Sequence, residues 1–265
     1  MRDLHGRTVL LTGASSGIGP YIARRLASEG ARFILSARNE KALKALAKEL
    51  DGARVIPADL SQRGEPERLA EEAGAVDIMV ANAGVPAPGT LDSFSLEEID
   101  RAVDVNLRAP IVLARCLLPQ MVERGDGHMV FMSSIAGKLP APGYPLYSAT
   151  KFGLRGFAHV LRNDLHDTGV GVSVICPTFV SEAGMWAETG MKAHPTVGEV
   201  RPDEVAEAVA RAIKGNRAEI VVAPAAGRLS ASFGAIRPEL AMSVARASGA
   251  SRMTSRATEK QRHKR

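Results

Sequence analysis

Thr8-Val9-Leu10-Leu11-Thr12-Gly13-Ala14-Ser15-Ser16-Gly17-Ile18-Gly19 decides the fold. A β-prone run passes directly into three glycines spaced Gly-x-x-x-Gly-x-Gly, and a helical pattern follows over residues 18–29. Strand, glycine turn and helix in that order open a β-α-β unit. Its glycines permit a tight turn, close approach of backbone to a pyrophosphate and close packing of helix on strand, with N–H groups aimed at the anion. Gly13, Ser15, Ser16, Gly17, Ile18 and Gly19 are therefore candidate cofactor contacts. The spacing departs from the common Gly-x-Gly-x-x-Gly, so position after the first strand carries the argument. A phosphate loop is excluded because no Gly-Lys-Ser/Thr ending follows.

Outward from this turn, short apolar runs alternate with helical patterns. Strands are expected at Thr8 to Thr12, Arg32 to Ala37, Arg54 to Ala58, Asp77 to Ala81, His128 to Ser133, Val170 to Cys176 and Glu219 to Val222. Helices are expected over 18–29, 39–50, 64–73, 96–123, 147–167 and 202–214, with Asn39 and Ser95 as N-caps. Strands that are continuously apolar and separated by helices predict a parallel sheet buried on both faces, an α/β doubly wound fold. Residues 1–224 form one dinucleotide-binding domain in this reading, including a long apolar connection at 178–200 that contains Pro195. Residues 225–265 lose the strand rhythm and form a basic extension, with a short helix expected around 232–246.

The net charge of +5 belongs to that extension, which holds nine Lys/Arg against two Glu. The body is slightly acidic and has no aromatic-basic stripe, which argues against nucleic-acid binding. Cys116 and Cys176 sit in apolar runs without metal-ligand spacing and read as reduced core thiols, and no metal site is expected. The six histidines read as surface or loop residues. Without a leader pattern at the start or an apolar run near the roughly 20 residues that span a bilayer, a cytoplasmic location is expected.

About 18 residues after Gly19, the second strand ends in Ser36-Ala37-Arg38-Asn39. An acidic residue near this point binds the ribose of NAD, whereas an arginine fork pairs with a 2′-phosphate. Ala37 has no carboxylate, so Arg38 favours NADP(H) over NAD(H); the alternative is a solvated helix-start arginine. Asp59-Leu60 and Asn82-Ala83-Gly84 follow the third and fourth strands, at carboxyl ends where such sheets bind ligands; each also fits a simple strand-ending turn. Tyr147 and Lys151 stand one helical turn apart, and an ammonium beside a phenol favours the phenolate, which predicts a phenol pKa lowered from about 10 towards neutrality.

Thr12-Gly13-x-x-x-Gly17-x-Gly19, Asp59, Asn82-Ala83-Gly84, Asn106, Ser134 and Tyr147-x-x-x-Lys151 together resemble the short-chain dehydrogenase/reductase family over about residues 5 to 224. The resemblance implies a Rossmann-like sheet of seven parallel strands, a nicotinamide cofactor and a tetrad of Asn106, Ser134, Tyr147 and Lys151 acting on CH–OH groups. In that tetrad Tyr147 exchanges a proton with the substrate oxygen, and Ser134, 13 residues earlier, orients that oxygen. Lys151 lowers the phenol pKa and bonds the nicotinamide ribose, while Asn106 holds a water in a proton relay. The alternative for Asn106 is a polar residue that bends its helix.

Pro177, Thr178 and Val180 are implied to line the nicotinamide pocket. Here the chain departs from the family, with Thr178 in place of glycine and Glu182 where threonine is usual. Leu139, Tyr144, Met185, Trp186 and Met191 are candidates for an apolar cover over a carbonyl or alcohol substrate, or for ordinary packing. The resemblance further implies a homodimer or homotetramer. A rival reading is a dinucleotide-binding sensor that docks on an anionic membrane or an acidic partner through Arg252, Arg256, Lys260, Arg262, Lys264 and Arg265.

Overall fold

The computed structural model describes residues 3–139, 141–193 and 198–237, together with 239, 242, 243 and 247. The basic residues from Arg252 onward and Pro195 lie outside these, as do residues 238, 240, 241 and 244–246 of the helix expected at 232–246. Seven parallel strands form the main sheet: β1 (Thr8–Thr12), β2 (Arg32–Ser36), β3 (Arg54–Val55), β4 (Ile78–Ala81), β5 (Gly127–Met132), β6 (Val170–Pro177) and β9 (Glu219–Val222). Their order is β3-β2-β1-β4-β5-β6-β9. Chain direction across the sheet therefore reverses between β1 and β4, which opens a crevice above their carboxyl ends. In register, Leu11 lies beside Leu35 on one side and Val80 on the other.

Although the strands read as continuous apolar runs, alternate residues serve two separate cores. Leu11, Leu35, Val80, Val130 and Ile175 pack on one face with Ile22 and Leu26 of α1 (Gly19–Ala27) and Val205 and Val209 of α8 (Pro202–Lys214). Leu10, Ile34, Met79 and Phe131 pack on the other with Leu69 of α3 (Glu65–Ala73), Leu113 of α5 (Ala109–Arg124) and Leu154 of α6 (Pro145–Asp164). Each such fully buried side chain contributes about 1.5–3 kcal/mol of apolar transfer. The N-caps form as expected: Asn39 Oδ1 accepts from Ala42 N at 3.1 Å before α2 (Glu40–Glu49), and Ser95 makes a capping box with Glu98.

Several expectations change. The strand at Arg54 to Ala58 shortens to two residues because Pro57 has no N–H, although Ile56 N and Ala58 N still donate to Leu35 O and Ala37 O. The single helix expected at 96–123 is α4 (Leu96–Val103), a π-helical turn Asp104–Arg108, and α5. The connection at 178–200 builds structure of its own: β7 (Phe179–Val180) pairs with β8 (Glu199–Val200), and α7 (Gly184–Ala187) lies between them. In the extension, α9 (Ala225–Ile236) starts seven residues earlier than expected, and Ala231 is buried against Ile135 and Ala223. Cys116 is exposed on α5 rather than in the core, while Cys176 is buried. His128 is no surface residue: it is buried on β5, 2.8 Å from Ser173 Oγ, whose own proton goes to Arg217 O. Among the described residues, no helix is long and apolar enough to cross a membrane and no group of side chains could hold a metal ion.

Candidate active site

The turn after β1 is shaped by what a side chain would meet. Gly13 (φ +64) and Gly17 (φ +60) adopt left-handed backbone, and a Cβ on Gly13 would lie 2.8 Å from Ala83 Cα. A Cβ on Gly19 would overlap the Gly13 carbonyl oxygen. Thr12 and Asn82 lock the turn to the end of β4. Thr12 Oγ1 accepts from Asn82 N and Ala83 N, both at 3.1 Å, and Asn82 Nδ2 donates to Thr12 O at 3.0 Å and Gly13 O at 3.2 Å.

A cleft of about 470 Å³ lies above this switch point. It brings together Gly13, Ser15, Ser16, Arg38, Asp59, Leu60, Ala83 and Gly84 from the expected set. Gly17, Ile18, Gly19 and Asn82 support the turn from outside the cleft wall. Ser36, Ala58, Val85, Arg101 and Val105 also line it and were missed. Arg101 and Val105 are one helical turn apart just before Asn106, so the placement of Asn106 was the signal for them. Asp59 presents a carboxylate already accepting from Ser61 N (3.1 Å) and Ser61 Oγ (2.8 Å). The glycine turn with its two serines, the arginine fork and the carboxylate fit a dinucleotide: a pyrophosphate at the glycines and an adenosine between Arg38 and Asp59.

Asn106, Ser134, Tyr147 and Lys151 sit beyond Gly84. From a Cβ built on Gly84, Asn106 Oδ1 would be 3.1 Å away, Met185 Cε 3.6 Å and Lys151 Nζ 3.7 Å. Ser134 ends the connection from β5 and begins the 3-10 turn Ile135–Gly137; its Oγ accepts from Ala136 N at 3.1 Å and donates to Pro177 O, beside the Tyr147 phenol. Ser133 faces away and donates to Lys151 O at 2.9 Å. The two neighbouring serines are thereby separated in function by strand alternation. Lys151 Nζ donates to Met132 O at 2.9 Å and lies 5.6 Å from the Tyr147 ring centre.

The expectation of a phenol near neutrality is reversed. Burial pushes the Tyr147 hydroxyl up to about 12, with the nearby Ser134 hydroxyl opposing, and burial brings the Lys151 ammonium down to about 8. Desolvation penalises both charges more than one through-ring contact rewards them. Asn106 lies in the π-helical turn, fully buried. Its amide pairs with the backbone of Val85, accepting from Val85 N at 2.8 Å and donating to Val85 O at 3.0 Å. Such turns widen a helix and leave a carbonyl without its usual partner.

The segment after β6 closes over this end. Thr178 is tied to its surroundings, its N–H on Val222 O of β9 at 2.9 Å and its hydroxyl on Gly198 O of its own loop at 3.3 Å. Pro177 O lies 3.4 Å from Ser134 Oγ, and Val180 is buried in the core on the α1 side. Gly184 rests on Gly17, and Met185 reaches towards Gly84. Trp186, expected in a substrate cover, turns inward instead: it stacks on Phe179 at 4.2 Å and donates to Glu199 Oε1 at 3.0 Å. Glu182, where the family has threonine, takes left-handed backbone at φ +63.

A family model described as short chain dehydrogenase matches residues 7–194. The chain belongs to the short-chain dehydrogenase/reductase family, oxidoreductases with a Rossmann-like fold and a nicotinamide dinucleotide cofactor. It is 39% identical over 230 residues to the ketoacyl reductase HetN of Nostoc sp., an alignment covering 84% of this chain and 80% of the relative. Among solved structures it is similar to a variant of actinorhodin polyketide ketoreductase with NADPH, at a TM-score of 0.76 and 32% identity, covering 84% of this chain and 97% of that one. A short-chain dehydrogenase from Sphingobium yanoikuyae in complex with NADPH also has a TM-score of 0.76, at 29% identity, covering 88% and 95%.

Proposed function

We propose that this protein is an NADP(H)-dependent reductase that interconverts a carbonyl and an alcohol on an apolar substrate, with Tyr147 as the proton donor and acceptor. The observation that carries it is the convergence of Ser134, Tyr147 and Lys151 beyond Gly84, at the end of a cleft whose far wall presents Arg38. When bound, the nicotinamide supplies or takes a hydride. Ser134 holds the substrate oxygen, and Tyr147, protonated throughout the physiological range, gives it the proton that completes the alcohol. Lys151 binds the ribose hydroxyls and supports the phenol electrostatically, and the Asn106 turn anchors the water that returns the proton. Pro177, Thr178 and Val180 shape the nicotinamide end through the course of their backbone.

The names of the Nostoc ketoacyl reductase and the actinorhodin polyketide ketoreductase support a keto group on an acyl chain, and the NADPH in two solved relatives supports the phosphorylated cofactor. A homodimer or homotetramer is part of the same proposal, supported by Phe152 (41% exposed) and Val160 (62% exposed) on α6.

The test is NADPH oxidation with a panel of β-keto esters, bulky ketones and aldehydes. Tyr147→Phe is expected to lose at least about 100-fold in kcat while binding NADPH as the wild type does; a Tyr147→Phe enzyme of normal activity refutes the mechanism. Titration of both dinucleotides checks the cofactor. Arg38→Ala is expected to weaken NADPH about 10- to 100-fold, the equivalent of a charge-assisted bond, and NADH little. An unchanged preference removes Arg38 from the site.

A further inference from the structure

Behind the reacting end of the cleft, a single carboxylate joins three elements. Glu219 is the first residue of β9. Its Oε1 is paired with Lys138 Nζ, and its Oε2 accepts from Arg155 Nε at 2.5 Å and lies 2.9 Å from His159 Nε2. Lys138 caps the 3-10 turn that Ser134 opens. Arg155 and His159 continue, at steps of four residues, the stripe of α6 that carries Tyr147 and Lys151. From β6, the buried Cys176 thiol faces the same group. Burial pushes the Glu219 carboxyl up, but the bonds from Lys138, Arg155 and His159 outweigh it and hold the group at about 2, so it is ionised at every working pH.

The loop and the helix that Glu219 joins are already in backbone contact. A Cβ on Gly137 would lie 2.6 Å from Ser133 Oγ and 2.7 Å from Lys151 O. Small slides of the Ser134 loop along α6 therefore translate directly into the Ser134–Tyr147 separation, and hydrogen bonds from both hydroxyls to one substrate oxygen weaken steeply over a few tenths of an ångström. We propose that Glu219 is a positioning residue: by clamping Lys138 of the Ser134 loop to Arg155 and His159 of the Tyr147 helix, it sets the spacing between the Ser134 and Tyr147 hydroxyls. Its effect on turnover rests on the function proposed above, while its effect on geometry does not.

The test uses the full chain labelled with carbon-13 at the tyrosine Cζ, with the Tyr147 resonance assigned by its loss in Tyr147→Phe. Glu219→Gln and Lys138→Met are compared with wild type, each also on a Ser134→Ala background. Lys138→Met severs one arm and leaves the carboxylate with Arg155 and His159, so it remains informative if Glu219→Gln folds poorly. Both substitutions are expected to move the Tyr147 resonance when Ser134 is present and to leave it nearly still when Ser134 is alanine. With NADPH and ethyl acetoacetate, kcat is expected to fall about 5- to 10-fold, with NADPH affinity changed less than about twofold. A resonance unmoved by Lys138→Met, or moved equally on both backgrounds, overturns the proposal and leaves Glu219 a purely stabilising residue. A wild type that binds NADPH and reduces no ketone refutes the proposed function, and the resonance comparison still decides the role of Glu219.

Discussion

Lys151 is held against its own electrostatic interest. The residue is 4% exposed, and its ammonium donates to Met132 O and is brought down by burial to about 8 from an ordinary 10.5. A lysine whose folded pKa is depressed destabilises the fold wherever it is charged: the penalty is complete below pH 8 and gone above the unfolded value of 10.5. Lys151→Met removes the buried charge and leaves Met132 O without its donor, a smaller loss. The variant is expected to gain about 1–2 kcal/mol in denaturant unfolding at pH 7, to lose that advantage by about pH 10, and to be inactive. A destabilised variant at pH 7 would show that the Met132 bond outweighs the burial cost. Gly19 is constrained more simply, because any side chain there meets the Gly13 carbonyl.

At the scale of elements, one carboxylate ties the middle of the segment between β6 and α8 to β8. Glu199 of β8 accepts from Trp186 Nε1 at 3.0 Å and from Ala193 N at 2.6 Å, while Thr189 Oγ1 donates to Trp186 O at 2.7 Å. The same segment places Gly184 on Gly17 and Met185 near Gly84, so Glu199 fixes the cover of the reacting end. In Glu199→Ala the indole N–H and the Ala193 amide lose a shared acceptor, at a cost of about 1–3 kcal/mol to the local structure. Because Trp186 is the protein's one tryptophan, its emission reports the change. A red shift is expected, and an unshifted spectrum would mean that stacking on Phe179 alone holds the cover. The π-helical turn at Asp104–Arg108 likewise belongs to this scale, since it turns Asn106 from α5 onto the backbone of Val85.

Across the whole molecule, Glu219 links the Ser134 loop, α6 and the edge strand β9, and this has a cost in acid. Its folded pKa of about 2 lies below the ordinary 4.5, so its stabilisation is fully present above pH 4.5 and is lost as pH falls towards 2. With the side chain 16% exposed, that amounts to roughly 3 kcal/mol. Glu219→Gln is expected to be less stable than wild type by about that amount at pH 7, with the two unfolding curves converging near pH 2; a gap that persists in acid would assign the loss to packing. Much of this molecule was legible beforehand. Apolar runs with helices between them determined a parallel sheet buried on both faces, and the glycine turn, Arg38 and the Tyr147/Lys151 spacing marked a cleft at the strand ends, because backbone sterics and side-chain periodicity act over a few residues. Tertiary structure decided what depends on desolvation and on contacts between distant segments. It raised the Tyr147 phenol where local charge alone predicted the opposite, gave the Asn82 amide to the glycine turn and the Asn106 amide to Val85, turned Trp186 inward, and gathered Lys138, Arg155 and His159 on Glu219, 81, 64 and 60 residues away in the chain. Burial and long-range partners exist only after the chain has closed on itself, and the protonation of the site follows from them.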